Sequence, residues 1–208
     1  RPVQDRTRLD QMMEYLKKHA EIDFIDTGPD LIAGKKDHLV FIKHDVHWNG
    51  YGAYYAYRGI MEKISAMLAP VKPLSLNDFT VTAVSFTGGD LANMLGLKDR
   101  FTEDYYVFTR KDGVKPKSLP VAYPAPFSRF TEAIESPGPN KPRVVVFHDS
   151  FFNFLKPLMG EHFSRMACFQ SYGRYDSDVI RAEKPNIVIF EIAEHFLLKS
   201  PAYVTLVK

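Results

Sequence analysis

The sequence is short of several things that would place it quickly. Cys168 is the one cysteine among 208 residues, so no internal disulfide can form. That leaves the redox compartment open, because an exported domain of this size can fold without disulfides. No apolar run approaches the ~18 residues of a membrane span, and no secretory leader is present. The chain nevertheless opens at Arg1 rather than at a methionine, and we expect an export segment or membrane anchor ahead of it. Charge of one sign is missing too: 27 Lys and Arg stand against 25 Asp and Glu, a net +2 spread along the chain. That balance gives no reason to expect nucleic acid as a partner. There is no internal repeat and no low-complexity tract. Ordinary composition and this length predict a single domain over residues 1–208 with one substantial core.

The hydrophobic periods then set the organisation. Leu9, Met12, Met13 and Leu16 recur at helical spacing over residues 8–19. Residues 22–25 read as a short strand and 30–33 as a helical turn. The run Leu39-Val40-Phe41-Ile42 reads as a buried strand, after which Asn49 is placed to cap a helix over about 52–68 with Ala53, Tyr57, Ile60, Met61, Ile64 and Leu68 inward. Strand patterns follow at 79–86 and 105–109, with a short helix over 90–95 between them. Residues 111–142, rich in proline, glycine and charge, read as a long surface excursion. The α/β rhythm then resumes: strand 144–147, helix from Ser150, strand 167–169, helix 178–183, strand 187–192, a helical turn and a last strand over 203–207. Alternation of this kind predicts an α/β fold, three layers with helices on both faces of a mostly parallel sheet.

Two stretches carry the chemistry, His44-Asp45-Val46-His47-Trp48-Asn49-Gly50 and Phe147-His148-Asp149-Ser150-Phe151. Each follows an apolar run, and loops at strand ends are where open α/β sheets hold their active groups. Ser150, at the mouth of a helix, has free backbone N–H groups nearby to stabilise an oxyanion. A serine needs a base, and the base needs a carboxylate to orient it; His47 and Asp45 can supply both. Capping and turn roles explain the same residues without any chemistry. His44, Asp45, His47, His148 and Asp149 are also zinc- or iron-type ligands. The sequence lacks the His-Glu-x-x-His helix pattern, however, and nothing in it draws the two loops round an ion. No metal and no cofactor is assigned.

Several motifs in one order resemble a known family. Asp45-Val46-His47-Trp48-Asn49 with Gly52-Ala53-Tyr54-Tyr55-Ala56-Tyr57, then Gly89-Asp90-Leu91, then His148-Asp149-Ser150-Phe151, then Lys184-Pro185-Asn186-Ile187-Val188-Ile189-Phe190-Glu191 are similar to segments of the SGNH-hydrolase-like O-acetyltransferases of exopolysaccharides, the AlgX and AlgJ group of alginate acetylation. The resemblance runs from about Leu9 to Leu198. It implies an SGNH-hydrolase-like, flavodoxin-like domain in which Ser150 accepts the acetyl group, His47 is the general base and Asp45 orients it. The Asp-His pair precedes the serine, a permutation of the order in ordinary SGNH esterases that the AlgX and AlgJ group shares.

The resemblance further implies a polysaccharide acceptor, an acetyl donor supplied by a membrane-bound O-acyltransferase, and an extracytoplasmic setting with the domain anchored or free. Relative to ordinary SGNH enzymes, His148 replaces the glycine of the nucleophile turn, and Ala193-Glu194-His195 stands where a Gly-x-Asn-Asp block is expected. A second oxyanion donor is therefore sought in the Tyr172-Gly173-Arg174 turn, and substrate contacts at Trp48 and Asn49. Ordinary loop roles fit Tyr172 and Arg174 equally. Of Trp48, Tyr51, Tyr54, Phe151, Phe152 and Tyr175, one or two are expected to line a glycan groove. Arg110, Lys111, Lys115 and Lys117 form a basic run suited to an anionic polymer. An acetylesterase, a metal-dependent hydrolase and a non-catalytic glycan-binding module remain as rivals.

Overall fold

The computed structural model describes residues 6–68, 71–121, 123, 131–136 and 138–198. Helix α1 (Arg8–His19) starts in a capping box, Thr7 and Asp10 each satisfying the other's backbone N–H. Helix α2 (Gly28–Gly34) packs on α3 (Gly50–Met67), the helix that builds the core. The α3 stripe Ala53, Ala56, Tyr57, Ile60, Met61 and Ile64 is buried, matching the predicted period.

After α3 come β1 (Phe79–Thr87), α4 (Asp90–Met94) and β2 (Thr102–Arg110). β1 and β2 pair antiparallel, in register from Phe79 opposite Arg110 to Thr87 opposite Thr102, as a two-stranded sheet of their own. Phe79 and Phe108 of this hairpin pack on Tyr54 of α3.

The main sheet follows from β3 (Lys117–Pro120), β4 (Thr131–Glu135), β5 (Arg143–His148), β6 (Arg165–Gln170) and β7 (Ile187–Phe190), with α5 (Lys156–Met159) between β5 and β6 and α6 (Ser177–Glu183) between β6 and β7. Its order is β3-β4-β6-β5-β7. β5 lies parallel to both β6 and β7, while β3 and β4 add antiparallel at the β6 edge. Val144, Val146, Met166, Cys168 and Ile134 face α3 and α5, whereas Val145, Phe147, Ala167 and Phe169 face α6 and Val179. The fold is therefore α/β with a helix layer on each face of a mixed sheet.

Three expectations need correction. Residues 111–142 are not only a surface excursion: β3 and β4 arise there, because Ala133 and Ile134 bury themselves beside β6. Their four- and five-residue lengths give too little alternation to read amid the prolines. The strands expected at 22–25 and 39–43 do not form. In the second, Phe41 makes one isolated bridge to Trp48, and the carbonyls that a strand would use are taken by the start of α3: Leu39 O accepts from Asn49 Nδ2 (2.7 Å) and Val40 O from Asn49 N (3.0 Å). The strand expected over 203–207 lies outside the described residues.

Candidate active site

The base loop, residues 43–49, hangs between α3 and the β1–β2 hairpin. Glu103 of β2 accepts the Lys43 N–H (2.9 Å), the His44 N–H (3.2 Å) and the His44 ring at Nδ1 (2.9 Å). On its other side the His44 carbonyl receives the N–H groups of Leu91 and Ala92 in α4 (3.1 and 3.3 Å). Gly89 permits that approach: its φ of +114° suits glycine, and a Cβ there would lie 2.3 Å from the His44 oxygen. Closing the loop, Asp45 Oδ2 accepts the Asp90 N–H at 2.9 Å.

With the loop so held, Asp45 Oδ1 accepts from both the His47 backbone N–H (2.9 Å) and the His47 ring at Nδ1 (2.6 Å). A carboxylate can only accept, so Nδ1 carries the proton and Nε2 is left with a lone pair. Nε2 lies 2.7 Å from Ser150 Oγ and takes that hydroxyl's hydrogen bond. Burial would push the Asp45 carboxyl up, but the N–H groups of His47 and Asp90 and the His47 ring outweigh it and hold the carboxyl below its ordinary range. Asp45 thus stays an anion beside the His47 ring.

Ser150 sits where β5 ends. Asp149 caps the single 3-10 turn Ser150–Phe154, its Oδ1 accepting from Phe151 N at 2.8 Å and its Oδ2 from Ala193 N at 2.7 Å. No described residue accepts the Ser150 N–H, so it is a donor open to a ligand. The two loops are joined by Trp48, whose indole N–H donates to Phe151 O (3.2 Å) and whose ring stands edge-on to Phe151. Phe151 and Phe154 close over the His47 ring, with centroids 4.7 and 5.4 Å away.

The arrangement brings Asp45, His47 and Ser150 together and assigns the other candidates different positions. Trp48 and Asn49 are buried and fully occupied, Trp48 as the strut just described and Asn49 as the α3 cap accepting Gly52 N–H at 3.0 Å. Neither presents a group to a substrate, which corrects that expectation. Tyr172 donates its N–H to His148 O (3.3 Å). Gly173, with φ of +95°, has an N–H that no described residue accepts, and Arg174 is exposed. Tyr54, Phe151 and Phe152 are packed core rings, Tyr51 is half-buried between His38, Tyr106 and Phe108, and Tyr175 packs on the far face with Val179 of α6. The outward-leading aromatics are others: Phe154 lies 6.1 Å from Tyr105, itself 6.3 Å from Phe86, all three partly exposed.

Asp45, His47 and Asp90 also bring ligand-type atoms within 4.8 Å of one another. Both His47 nitrogens and both Asp45 oxygens are already engaged, His44 faces Glu103, and both Asp149 oxygens hold backbone N–H groups. This donor set fits a hydrogen-bonded relay better than an ion's ligand shell. Asp90 and Glu103, which place the base loop, escaped the sequence reading. Asp90 stands in the recognisable Gly89-Asp90-Leu91 segment, whereas Glu103 carries no local signal.

Residues 1–118 match the family described as SGNH hydrolase-like domain, acetyltransferase AlgX. The chain belongs to that family. The domain is accordingly that of an acyl-transfer enzyme. Solved structures agree on the fold over nearly the whole chain. A DHHW family protein from Eubacterium siraeum superposes with a TM-score of 0.72 at 16% identity, covering 95% of this chain and 73% of that one. Bacillus cereus PatB1 carrying a sulfonyl adduct gives 0.68 at 19% identity, covering 98% and 79%. The O-acetyltransferase domain of Pseudomonas putida AlgJ gives 0.58 at 19%, covering 98% and 73%. No curated protein sequence matches the chain.

Proposed function

We propose that this domain transfers an acetyl group to a hydroxyl of a polysaccharide through an acetyl-Ser150 intermediate. The observation that carries the reading is the unbroken relay from Asp45 to His47 to Ser150, with bonds of 2.6 and 2.7 Å. Ser150 Oγ attacks the acetyl carbonyl carbon while His47 Nε2 takes its proton, and the Asp45 carboxylate stabilises the imidazolium. The tetrahedral oxyanion faces the open Ser150 N–H, and the Gly173 N–H is our candidate for the second donor. Collapse expels the donor's leaving group, which takes the proton from His47. A sugar hydroxyl then gives its proton to His47 and attacks the acetyl carbon, and collapse breaks the Ser150 ester as His47 returns that proton to Ser150 Oγ. Water in place of the sugar would give the esterase outcome from the same intermediate.

The proposal includes a donor and a setting: acetyl groups delivered by a membrane-bound O-acyltransferase, in an extracytoplasmic location. The aromatic series Phe154, Tyr105 and Phe86, leading away from His47, supplies ring faces on which sugars stack. A polysaccharide acceptor fits that ledge.

Mass spectrometry after incubation with an activated acetyl ester tests the proposal. Wild type is expected to gain one acetyl group on Ser150, Ser150→Ala none, and His47→Ala only slowly; chelator should change nothing. An adduct-free wild type, or activity that survives Ser150→Ala and vanishes with chelator, would remove the serine mechanism and leave the metal reading.

A further inference from the structure

Behind Ser150 lies a second pair of acids that the steps above do not use. Asp149 is completely buried, both of its oxygens holding backbone N–H groups. Its own N–H donates to Glu191 Oε2, just beyond β7, at 3.0 Å, and the Glu191 N–H donates to Phe147 O of β5 at 2.9 Å. The Glu191 carboxyl also lies close enough to Asp149 to feel its charge. Two buried acids this close do not both hold a full charge. Both Asp149 oxygens are already acceptors, so the proton belongs on Glu191. Burial, and then the Asp149 charge, push the Glu191 carboxyl well above the usual range. Asp149 is the charged group whose field raises it.

We propose that Glu191, uncharged, is a positioning residue for the nucleophile: its Oε2 receives the Asp149 N–H while its O–H donates to the Asp149 carboxylate, and this double contact fixes Asp149, whose carbonyl shares a peptide plane with the Ser150 N–H. The consequence is functional because the next N–H along the chain is that of Ser150, the open oxyanion donor. Asp149, held at its N–H by Glu191 and at its carbonyl by the His148 ring (Nδ1 to O, 2.6 Å), aims that N–H before substrate arrives, and preorganised aim is what an oxyanion donor contributes. Ionising Glu191 would set two anions against each other under the turn and release the plane.

The inference rests on the acetyl-Ser150 reading for its chemical effect, while the carboxyl pair itself is open to a substrate-free measurement. At neutral pH, infrared spectroscopy should show a protonated-carboxyl band that disappears in Glu191→Gln. Glutamine reproduces the pattern, accepting through its oxygen and donating through its amide nitrogen, so Glu191→Gln should acetylate Ser150 within a few-fold of wild type. Glu191→Ala should lower the acetylation rate constant by about 100-fold, the scale set by a misplacement of about 1 Å, with little change in KM. The wild-type rate should also fall on the alkaline side, and Glu191→Gln should lose that limb. Should Glu191→Ala not fold, the Gln variant's pH profile and the infrared band decide alone. The proposal is overturned if the band is missing, if Glu191→Ala acetylates as fast as wild type, or if Glu191→Gln keeps the alkaline limb. A band present in a wild type that never becomes acetylated would instead overturn the serine mechanism and confine Glu191 to a structural pair.

Discussion

The two loops that meet at the candidate site are held by different means. The nucleophile turn is the direct continuation of β5, buried on both faces and paired on both edges by parallel strands. The base loop belongs to no sheet; it is held by Glu103 from a separate hairpin, by Asp90 and its neighbours at the start of α4, and by the first turn of α3. Position in the first case comes from the scaffold, in the second from side-chain and backbone clips that lie 45 to 60 residues away in sequence. The serine is therefore hard to move and the histidine is easy to move. On the proposed acetyl-Ser150 mechanism, alignment of His47 with Ser150 is most vulnerable in the clips.

The largest effects do not distinguish the loops. Ser150→Ala and His47→Ala should each reduce acetyl transfer on the order of 10⁴-fold or more, and the double variant should lose little beyond either single one, since the pair acts as a unit. Steady-state rates with the three variants check this; additive losses would separate the two residues.

The first measurement that divides the regions is Gly89→Ala. With φ +114° and ψ 160° the position is open essentially to glycine alone, and an added Cβ would meet the His44 carbonyl at 2.3 Å. The base loop should be pushed off Ser150, lowering the acetylation rate about 100-fold while the main sheet keeps its melting temperature within a few degrees. A variant that unfolds outright would show that the clips are part of the global core. One that is fully active would show that the loop does not depend on them.

The same contrast explains what could be read from the sequence. β5, α3 and the Asn49 cap announced themselves because their determinants are local: a run of valines, a helical period, an asparagine at the right offset. The order Asp45, His47, Ser150 was equally legible from motif resemblance. The 39–43 segment misled because Val40 and Ile42 alternate and are buried, as a strand's would be, although the Val40 backbone lies against Gly52 of α3 instead of in a sheet. Glu103 carries no local signal and Glu191 only closes a segment of resemblance; the fold brings one to the base loop and the other beneath the nucleophile. The aromatics nearest the motifs in sequence turned out to be core, and Tyr105 and Phe154, which lead outward from His47, met only in three dimensions.

Tyr105 gives a smaller and more selective effect. Tyr105→Ala should raise the KM for a glycan acceptor about tenfold, the loss of roughly 1–1.5 kcal/mol expected of one aromatic stacking face. Acetyl-enzyme formation from a small ester should be unaltered. Equal impairment of both half-reactions would place Tyr105 among the supports of His47 through Phe154 rather than in an acceptor site.

The subtlest effect leaves neutral-pH turnover untouched and asks which loop yields first to acid. His148, fully buried at the nucleophile end, has its pKa pushed down to about 4, chiefly by burial and next by the Lys156 charge. Its neutral form belongs to the folded state, so the stability it contributes is complete above its ordinary value of 6.5 and is lost as pH falls toward about 4. By linkage that is worth up to ~3 kcal/mol. Asp45, whose pKa is depressed below 3.8, contributes above that value and loses its contribution only below it. Within the base loop, His44 and His47 are each paired with a carboxylate rather than buried alone. His162, also pushed down to about 4 by burial, acts in the same window through Tyr57 of α3, not through either loop. Amide hydrogen exchange, corrected for its intrinsic pH dependence, should therefore show residues 148–152 opening between pH 6.5 and 4 while residues 43–49 stay protected. The reverse order would mean that the sheet-borne nucleophile remains the firmer of the two even when its buried imidazole is forced to take a proton.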